Sequence, residues 1–347
     1  MNTTQFELRK AAVPGEQAGP SAEKLFETMT AYQQTAALKA AIELDLFTAI
    51  GEGLNTVSSL AKKINGTERG VRIICDCLVV IAFLTKSDNR YGLTADSAVF
   101  LHKKSPAYAG SMKNFLASPL MMAGFTDLAT VVRSGRPLAD QPFSGVEHPM
   151  WIEFARGMAP FIYRAAQKTA QLLNCESEMK VLDVAAGHGL FGITIAQQNP
   201  KARIVALDFP SVLSVADENS RLSGIADRYS MLPGNALEVD LGTGFDVVLI
   251  PNLLHTWDRA TVELFLKKAH RALAHKGRAI VVEFAPNEDR VSPRVPAMFA
   301  LIMLGNNYGD AYTVAEHRAM LNSAGFSNFK VHSLLPTPFT AIVASKE

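Results

Sequence analysis

The stretch Val181–Pro210, VLDVAAGHGLFGITIAQQNPKARIVALDFP, decides the fold of this chain. It opens on a short apolar, β-branched run, Val181–Val184, which stops at the small residues of Ala185–Gly189. Apolar residues at helical spacing follow until Pro200, and a second apolar run closes on Asp208. Because proline ends a helix and β-branched runs favour strands, the pattern predicts a strand, a tight turn, a helix and a second strand.

The glycines of the predicted turn indicate a nucleotide site, because they let the backbone approach a ligand closely. Gly187–Gly192 satisfies GxGxxG and Asp208 follows at the spacing of a ribose-binding acid, so a dinucleotide is one candidate ligand. S-adenosylmethionine (SAM) is favoured over it by Asp183, which is placed to meet the amino group of such a cofactor directly or through water. SAM is also favoured by the late position of the motif and by two final strand-like runs, which resemble the reversed last strand of a methyltransferase sheet: Phe329–Leu335 and Phe339–Ala344.

Composition limits the classes of partner. The chain has 347 residues, enough for two domains, and 34 Lys plus Arg against 33 Asp plus Glu leave a formal charge of +1. This balance favours neither nucleic acid nor acidic lipid as a partner, and no apolar run is long enough for a membrane span. Cys75 and Cys77 lie in a helical pattern, which favours free thiols over a disulfide or metal site. No signal peptide is visible, and a reducing cytoplasm is the predicted location.

The N-terminal part has the order of a winged helix-turn-helix. Residues 1–20 are polar and predict a mobile arm, and residues 21–105 form helical patterns that end in a hairpin around Ser87–Arg90. One hypothesis is therefore a cofactor-sensing transcription factor. The would-be recognition helix offers only Arg69 and Arg72 as basic residues, which argues against binding in a DNA groove.

Residues 106–175 predict a helical linker rich in Met and aromatic side chains, among them Phe154, Met158 and Phe161. Such a stripe is often plain core, yet it equally suits the wall of a pocket for a flat organic substrate. From residue 176 to 347 strands and helices alternate, which predicts a parallel-rich α/β sheet.

Five side chains that can bind a ligand or transfer a proton fall at or just past the predicted strand ends, where ligands of such sheets bind: Asp183, Asp208, Asn235, His255 and Glu283. His255 is the natural general base for an acceptor hydroxyl, and either Glu283 or Asp310 is expected to orient its ring. His188 is expected to face solvent or cofactor without a catalytic role. The sequence pattern places His270, His275 and His317 on helical surfaces.

At these residues the chain resembles the small-molecule SAM-dependent O-methyltransferases, a family that includes the plant caffeate and flavonoid enzymes, the hydroxyindole enzyme and bacterial natural-product enzymes. The resemblance covers about residues 25 to 345 and implies a Rossmann-like class I methyltransferase domain behind an N-terminal winged-helix dimerisation domain. It implies cofactor contacts from Asp183, Ala185, Gly187, Gly189, Asp208, Phe209, Asn235, Ala236, Pro251 and Trp257, and acceptor contacts from Phe154, Met158, Phe161, Phe299, Met303 and Asn307.

The resemblance further implies a homodimer that uses SAM and releases S-adenosylhomocysteine (SAH). His255 matches the catalytic histidine of the family and Glu283 its first supporting carboxylate. Ala311 stands where a second supporting carboxylate is expected, with Asp310 one residue earlier as a candidate substitute. The predicted reaction is O-methylation of a small, aromatic hydroxyl compound, with C- or N-methylation as the alternative.

Overall fold

The computed structural model describes residues 20–138, 147–173, 176–306 and 308–347. The chain divides into two units between Ser105 and Pro106. Residues 1–19 of the predicted arm lie outside the described residues, as does the predicted acceptor residue Asn307.

The first unit is mostly helical and contains one small hairpin. Its elements are α1 (Glu23–Thr30), α2 (Tyr32–Glu43), α3 (Leu46–Gly51), α4 (Val57–Ile64), α5 (Glu68–Val80), β1 (Leu84–Ser87), β2 (Arg90–Leu93) and α6 (Ala95–Phe100). The predicted order of helices followed by an antiparallel hairpin is confirmed.

Local sequence explains these elements. Thr56 and Ser59 form a capping box at the start of α4, which satisfies amides that the first helical turn leaves unbonded. Asp88 and Asn89 adopt φ values of 48° and 60°, as a two-residue hairpin turn between β1 and β2 requires. Cys75 and Cys77 are free cysteines, and Cys75 is buried in the core of this unit.

The second unit begins with helices and continues as an α/β sheet, so residues 106–173 belong to the same unit as the sheet. Its helices are α7 (Lys113–Leu116), α8 (Pro119–Ala123), α9 (Leu128–Ser134), α10 (Met150–Ala170), α11 (Leu190–Gln198), α12 (Pro210–Leu222), α13 (Arg259–Ala272), α14 (Arg294–Asn306) and α15 (Val314–Ser323). Its strands are β3 (Met179–Val184), β4 (Ala202–Asp208), β5 (Tyr229–Pro233), β6 (Phe245–Pro251), β7 (Leu273–Glu283), β8 (Ser327–Ser333) and β9 (Thr340–Ser345).

The seven strands lie in the order β5-β4-β3-β6-β7-β9-β8. Strands β3 to β7 are parallel, whereas β9 runs antiparallel to both β7 and β8. The predicted reversed last strand is therefore confirmed. The order changes direction between β3 and β6, which leaves a crevice at the carboxyl ends of these two strands.

Helices cover both faces of the sheet. On one face the core includes residues of α10 and α11, and on the other it includes residues of α13 and α15. Asp258 caps α13 and the Thr313–Glu316 capping box begins α15, as the sequence predicts. In the ranges that the structure describes, no helix combines the length and the apolar character that crossing a bilayer requires.

Candidate active site

The turn after β3 has the backbone that its sequence predicts. Ala185, Gly187 and Gly189 adopt φ values of 52°, 57° and 76° in the left-handed region. At Gly189 a Cβ atom would lie 2.6 Å from the hydroxyl of Tyr229, so this position also needs glycine for space. The turn can therefore bring its backbone close to a ligand.

Asp183 stabilises the segment that follows the turn through a hydrogen bond to the backbone. Its side chain is fully buried, and Oδ2 accepts a hydrogen bond of 2.9 Å from the backbone N–H of Gly192. Burial raises the pKa of Asp183 to about 8. Neither Asp183 nor Gly189 is among the residues that line the cavity described below. The structure shows that both residues support the turn, and their predicted contact with the cofactor, for Asp183 directly or through water, stays a prediction.

Asp208 closes β4 and lines the cavity directly. Its Oδ2 accepts from the N–H of Gly187 at 2.8 Å, and its Oδ1 accepts from the N–H of Phe209 at 2.7 Å. Burial raises its pKa to about 6, although the two backbone hydrogen bonds oppose this shift. Each carboxylate oxygen can accept more than one hydrogen bond, so both remain able to bind ribose hydroxyls.

A cavity of about 600 Å³ opens at the carboxyl ends of the strands. Eight of the predicted cofactor residues line it: Ala185, Gly187, Asp208, Phe209, Asn235, Ala236, Pro251 and Trp257. Five of the predicted acceptor residues also line it: Phe154, Met158, Phe161, Phe299 and Met303. One space therefore brings together both sets of residues that the sequence predicts.

The cofactor end of this cavity fits SAM. The glycine turn offers close backbone, Asp208 offers acceptors for ribose, and the flat side chains of Phe209 and Trp257 suit an adenine ring. His188 also lines the cavity, and burial lowers its pKa to about 4. It is therefore neutral at pH 7 and does not repel the positive charge of a sulfonium.

His255 and Glu283 form a buried pair at the wall of the cavity. His255 lies in a short 3-10 turn after β6, and Glu283 is the last residue of β7. Glu283 Oε2 lies 2.5 Å from His255 Nδ1, while Oε1 accepts from the amides of Leu253 and Leu254 at 2.9 and 2.8 Å. The carboxylate therefore positions both the ring and the backbone that carries it.

Asp310 does not support His255. Its carboxylate lies 3.2 Å from Arg290 in an ion pair whose side chains are 45% and 42% exposed. Ala311 is fully buried, and the next residue, Tyr312, donates its hydroxyl to the backbone oxygen of Trp257 at 2.8 Å. The expectation for Asp310 is thus corrected, because a surface arginine holds that carboxylate and Glu283 already holds Nδ1.

Two further histidines differ from the sequence-based prediction. His317 is 1% exposed rather than on a surface, and burial lowers its pKa to about 4, with Glu283 and His255 close enough to act on it electrostatically. His275 lies on β7 and not on a helix. The helical pattern around His317 predicted α15 but not which side of α15 faces the core.

Aromatic rings form the acceptor end of the cavity. The ring of Phe284 stacks on Phe299 with centroids 4.2 Å apart and lies 4.4 Å from the ring of Phe339. Phe299 also meets the His255 ring edge to face at 4.8 Å. Phe284 and Phe339 were not predicted as site residues. Phe284 follows β7 and Phe339 precedes β9, and neither side chain carries a polar group that would indicate a role in a site.

Comparison with known proteins identifies the class of protein that this fold and this site define. Residues 144–327 match the family model of the O-methyltransferase domain, and residues 26–103 match that of the O-methyltransferase dimerisation domain. The chain is 26% identical over 312 residues to 3-hydroxy-5-methyl-1-naphthoate 3-O-methyltransferase from Streptomyces sahachiroi, an alignment covering 88% of this chain and 90% of the relative.

Solved structures agree with this class. The structure of an inferred O-methyltransferase from Nostoc punctiforme is 48% identical, with a TM-score of 0.91 and coverage of 95% of this chain and 100% of the other. Human N-acetylserotonin methyltransferase in complex with SAM shares the fold, with a TM-score of 0.83, 20% identity and coverage of 96% and 99%. The chain belongs to the O-methyltransferase family with an N-terminal dimerisation domain. It is a SAM-dependent methyltransferase that acts on oxygen in small molecules.

Proposed function

We propose that this enzyme methylates a hydroxyl group on a planar, aromatic acceptor, with His255 as the general base and Glu283 as its orienting partner. The observation that carries the proposal is the buried contact between Glu283 Oε2 and His255 Nδ1 beside an aromatic cavity. A carboxylate acceptor keeps the proton on Nδ1, so Nε2 carries the lone pair of the neutral ring.

The pair suits proton removal from a hydroxyl. Bound SAM supplies an electrophilic methyl group on its sulfonium. As the acceptor oxygen attacks, its proton moves to His255 Nε2, and the imidazolium that forms is stabilised by the adjacent Glu283 carboxylate. The remaining task of the protein is to hold the hydroxyl in line with the methyl group.

The walls of the cavity support an aromatic acceptor. Stacked and tilted rings at Phe284, Phe299 and Phe339 create flat apolar surfaces, and aromatic rings associate well with such surfaces. The relative named for a hydroxynaphthoate substrate has an acceptor of this shape.

A homodimer is also part of the proposal. Four large apolar side chains near the start of the dimerisation domain are 64 to 71% exposed in the single chain: Leu25, Phe26, Met29 and Tyr32. Exposed apolar surface of this kind is typical of an interface between subunits. Location in a reducing cytoplasm stays a prediction, supported by the free thiols of Cys75 and Cys77.

Substitution of the histidine tests the mechanism. We expect His255→Ala to lower kcat at least about a hundredfold with hydroxynaphthalene acceptors, because general-base catalysis contributes on this scale. The dissociation constant of SAH, measured by calorimetry, is expected to change less than about twofold. His275→Ala is the matched control, because this histidine is exposed on β7 away from the cavity.

The position of the transferred methyl group completes the test. Mass spectrometry and NMR of the product are expected to show the methyl group on the acceptor oxygen. Unchanged kcat in His255→Ala would remove the histidine from the mechanism. A methyl group on carbon or nitrogen would replace the proposal with one of its alternatives.

A further inference from the structure

One charged side chain in the acceptor part of the cavity has no role in the mechanism above. Most of that part is lined by aromatic, aliphatic and thioether groups, and Asp208, His188 and His255 belong to the cofactor end or to the catalytic pair. Among the described residues that line the cavity, Arg294 is the one lysine or arginine.

Arg294 lies at one edge of the side of α14 that lines the cavity. It is the first residue of α14, and Met298 and Ile302 follow at helical spacing on its side of the helix. Phe299 and Met303 lie further round the helix, and all five residues line the cavity. Phe299 contacts the His255 ring, and Arg294 stands five residues earlier, about 7.5 Å along the helix axis. Because His255, Phe299 and Arg294 line the same cavity, a flat acceptor with its hydroxyl at His255 can extend past Phe299 toward Arg294.

Arg294 also has no counter-ion within the described part of the chain. Arg290, four residues earlier, differs because it contacts both Asp310 at 3.2 Å and Glu316 at 2.6 Å. No carboxylate of the described residues bonds to Arg294, and its side chain is exposed at the rim of the cavity. The guanidinium is thus available to a ligand.

A guanidinium binds planar oxyanions through two parallel N–H···O bonds, which a neutral group cannot form equally well. We propose that the acceptor carries a carboxylate at the end remote from its hydroxyl, and that Arg294 binds this carboxylate. The proposal rests on the proposed function, since it places the hydroxyl at His255.

The experiment compares matched acceptors. The probes are a series of hydroxynaphthoates, with 6-hydroxy-2-naphthoate as the first member, and the corresponding carboxamides. We expect Arg294→Gln to raise KM for the carboxylates at least about tenfold, on the scale of a lost charge-assisted hydrogen bond, and to leave KM for the carboxamides within about twofold. Arg294→Lys is expected to recover part of the loss. Arg290→Gln, which removes a neighbouring cation outside the cavity, should affect both classes equally.

A second measurement needs no turnover. Binding of the same probes to the SAH-loaded protein, followed by calorimetry, should show the same preference for carboxylates and its loss in Arg294→Gln. The proposal is overturned if both classes of probe weaken equally, if neither changes, or if Arg294→Gln instead weakens binding of SAH, whose own carboxylate would then be the partner. Absence of methyl transfer to oxygen would overturn the proposed function, whereas the binding comparison would still decide the role of Arg294.

Discussion

Glu283 carries two structural tasks in one carboxylate. Its Oε1 accepts from the amides of Leu253 and Leu254, and its Oε2 contacts His255 Nδ1. The position of the ring therefore depends on the same group that sets its tautomer. Without a second carboxylate at Ala311, the His255 ring, which we propose as the base, depends on Glu283 for its orientation.

We expect Glu283→Gln to lower kcat by about ten- to a hundredfold. An amide has no negative charge to stabilise the imidazolium, and it has one acceptor oxygen where the carboxylate has two, one for the backbone amides and one for His255 Nδ1. The control is Asp310→Asn, which alters a carboxylate bound to Arg290 and is expected to leave kcat nearly unchanged. Steady-state kinetics with one acceptor measures both variants. Equal losses would show that Asp310 supports the histidine after all.

Single residues also show where prediction from sequence stops. His255 and Glu283 follow strand ends, and the rule that such ends share one edge of the sheet brought them together correctly. Asp310 lies on a loop and His317 lies on a helix. In both, a shift of one residue along the chain decides whether a side chain faces the surface or the core. Their surroundings depend on how those elements pack, which a local pattern does not contain.

Among the elements, the turn and its flanking strands were the most predictable part. Gly187 and Gly189 need left-handed backbone, and small residues after a β-branched run indicate that need directly. In helix α14 Phe299 and Met303 were predicted as acceptor residues, but Arg294 was not. Val295, Met298 and Leu301 are exposed while Met303 is buried, so apolar residues occupy several sides of the helix and no polar face marks Arg294 as part of the cavity.

The packing of the turn makes a prediction about stability. Gly189→Ala adds both left-handed strain and a Cβ atom 2.6 Å from the Tyr229 hydroxyl, whereas Gly224→Ala adds strain at φ 68° with no atom within 4 Å. We expect Gly224→Ala to lower the free energy of unfolding by about 1 kcal/mol and Gly189→Ala by about 1–3 kcal/mol more. Urea unfolding followed by circular dichroism compares them. Equal losses would mean that the turn has room for a methyl group.

At the scale of the whole molecule, the pKa values of three buried groups and of the partly buried Asp208 shift in opposite directions. Burial raises the pKa values of Asp183 and Asp208 to about 8 and about 6, and lowers those of His188 and His317 to about 4. The stability that each aspartate contributes is present at low pH and is lost as pH rises through its folded pKa. The stability that each histidine contributes is present above about pH 6.5 and is lost as pH falls toward 4.

Between pH 6.5 and 8 ionisation of Asp183 in the folded state is the largest change among these four groups, and loss of protons from the two histidines in the unfolded state partly offsets it. We expect the cofactor-free enzyme to lose about 1 kcal/mol of unfolding free energy over this window, because the buried carboxylate must ionise there. Asp183→Asn keeps an acceptor for the Gly192 amide and is expected to remove this loss. Urea titrations at both pH values measure the difference. A wild-type stability that rises with pH here would contradict the ionisation of a buried Asp183.

The global topology was largely predictable, since alternating strands and helices and a final pair of strands define the sheet. The sequence pattern did not predict that Phe284, Phe299 and Phe339 group together. These residues belong to different parts of the chain and meet only in the folded protein. Acceptor recognition depends on such long-range packing, and is therefore harder to predict than the cofactor turn.

The place of β9 has a consequence for biosynthesis. This strand is the last of the sheet to be translated, yet it lies inside the sheet between β7 and β8. A nascent chain on the ribosome therefore exposes the unpaired edge of β7 until residue 345 has left the exit tunnel. Chaperones can bind the chain in this state. A chain truncated before β9 is expected to keep this edge unpaired, and an unpaired strand edge favours aggregation.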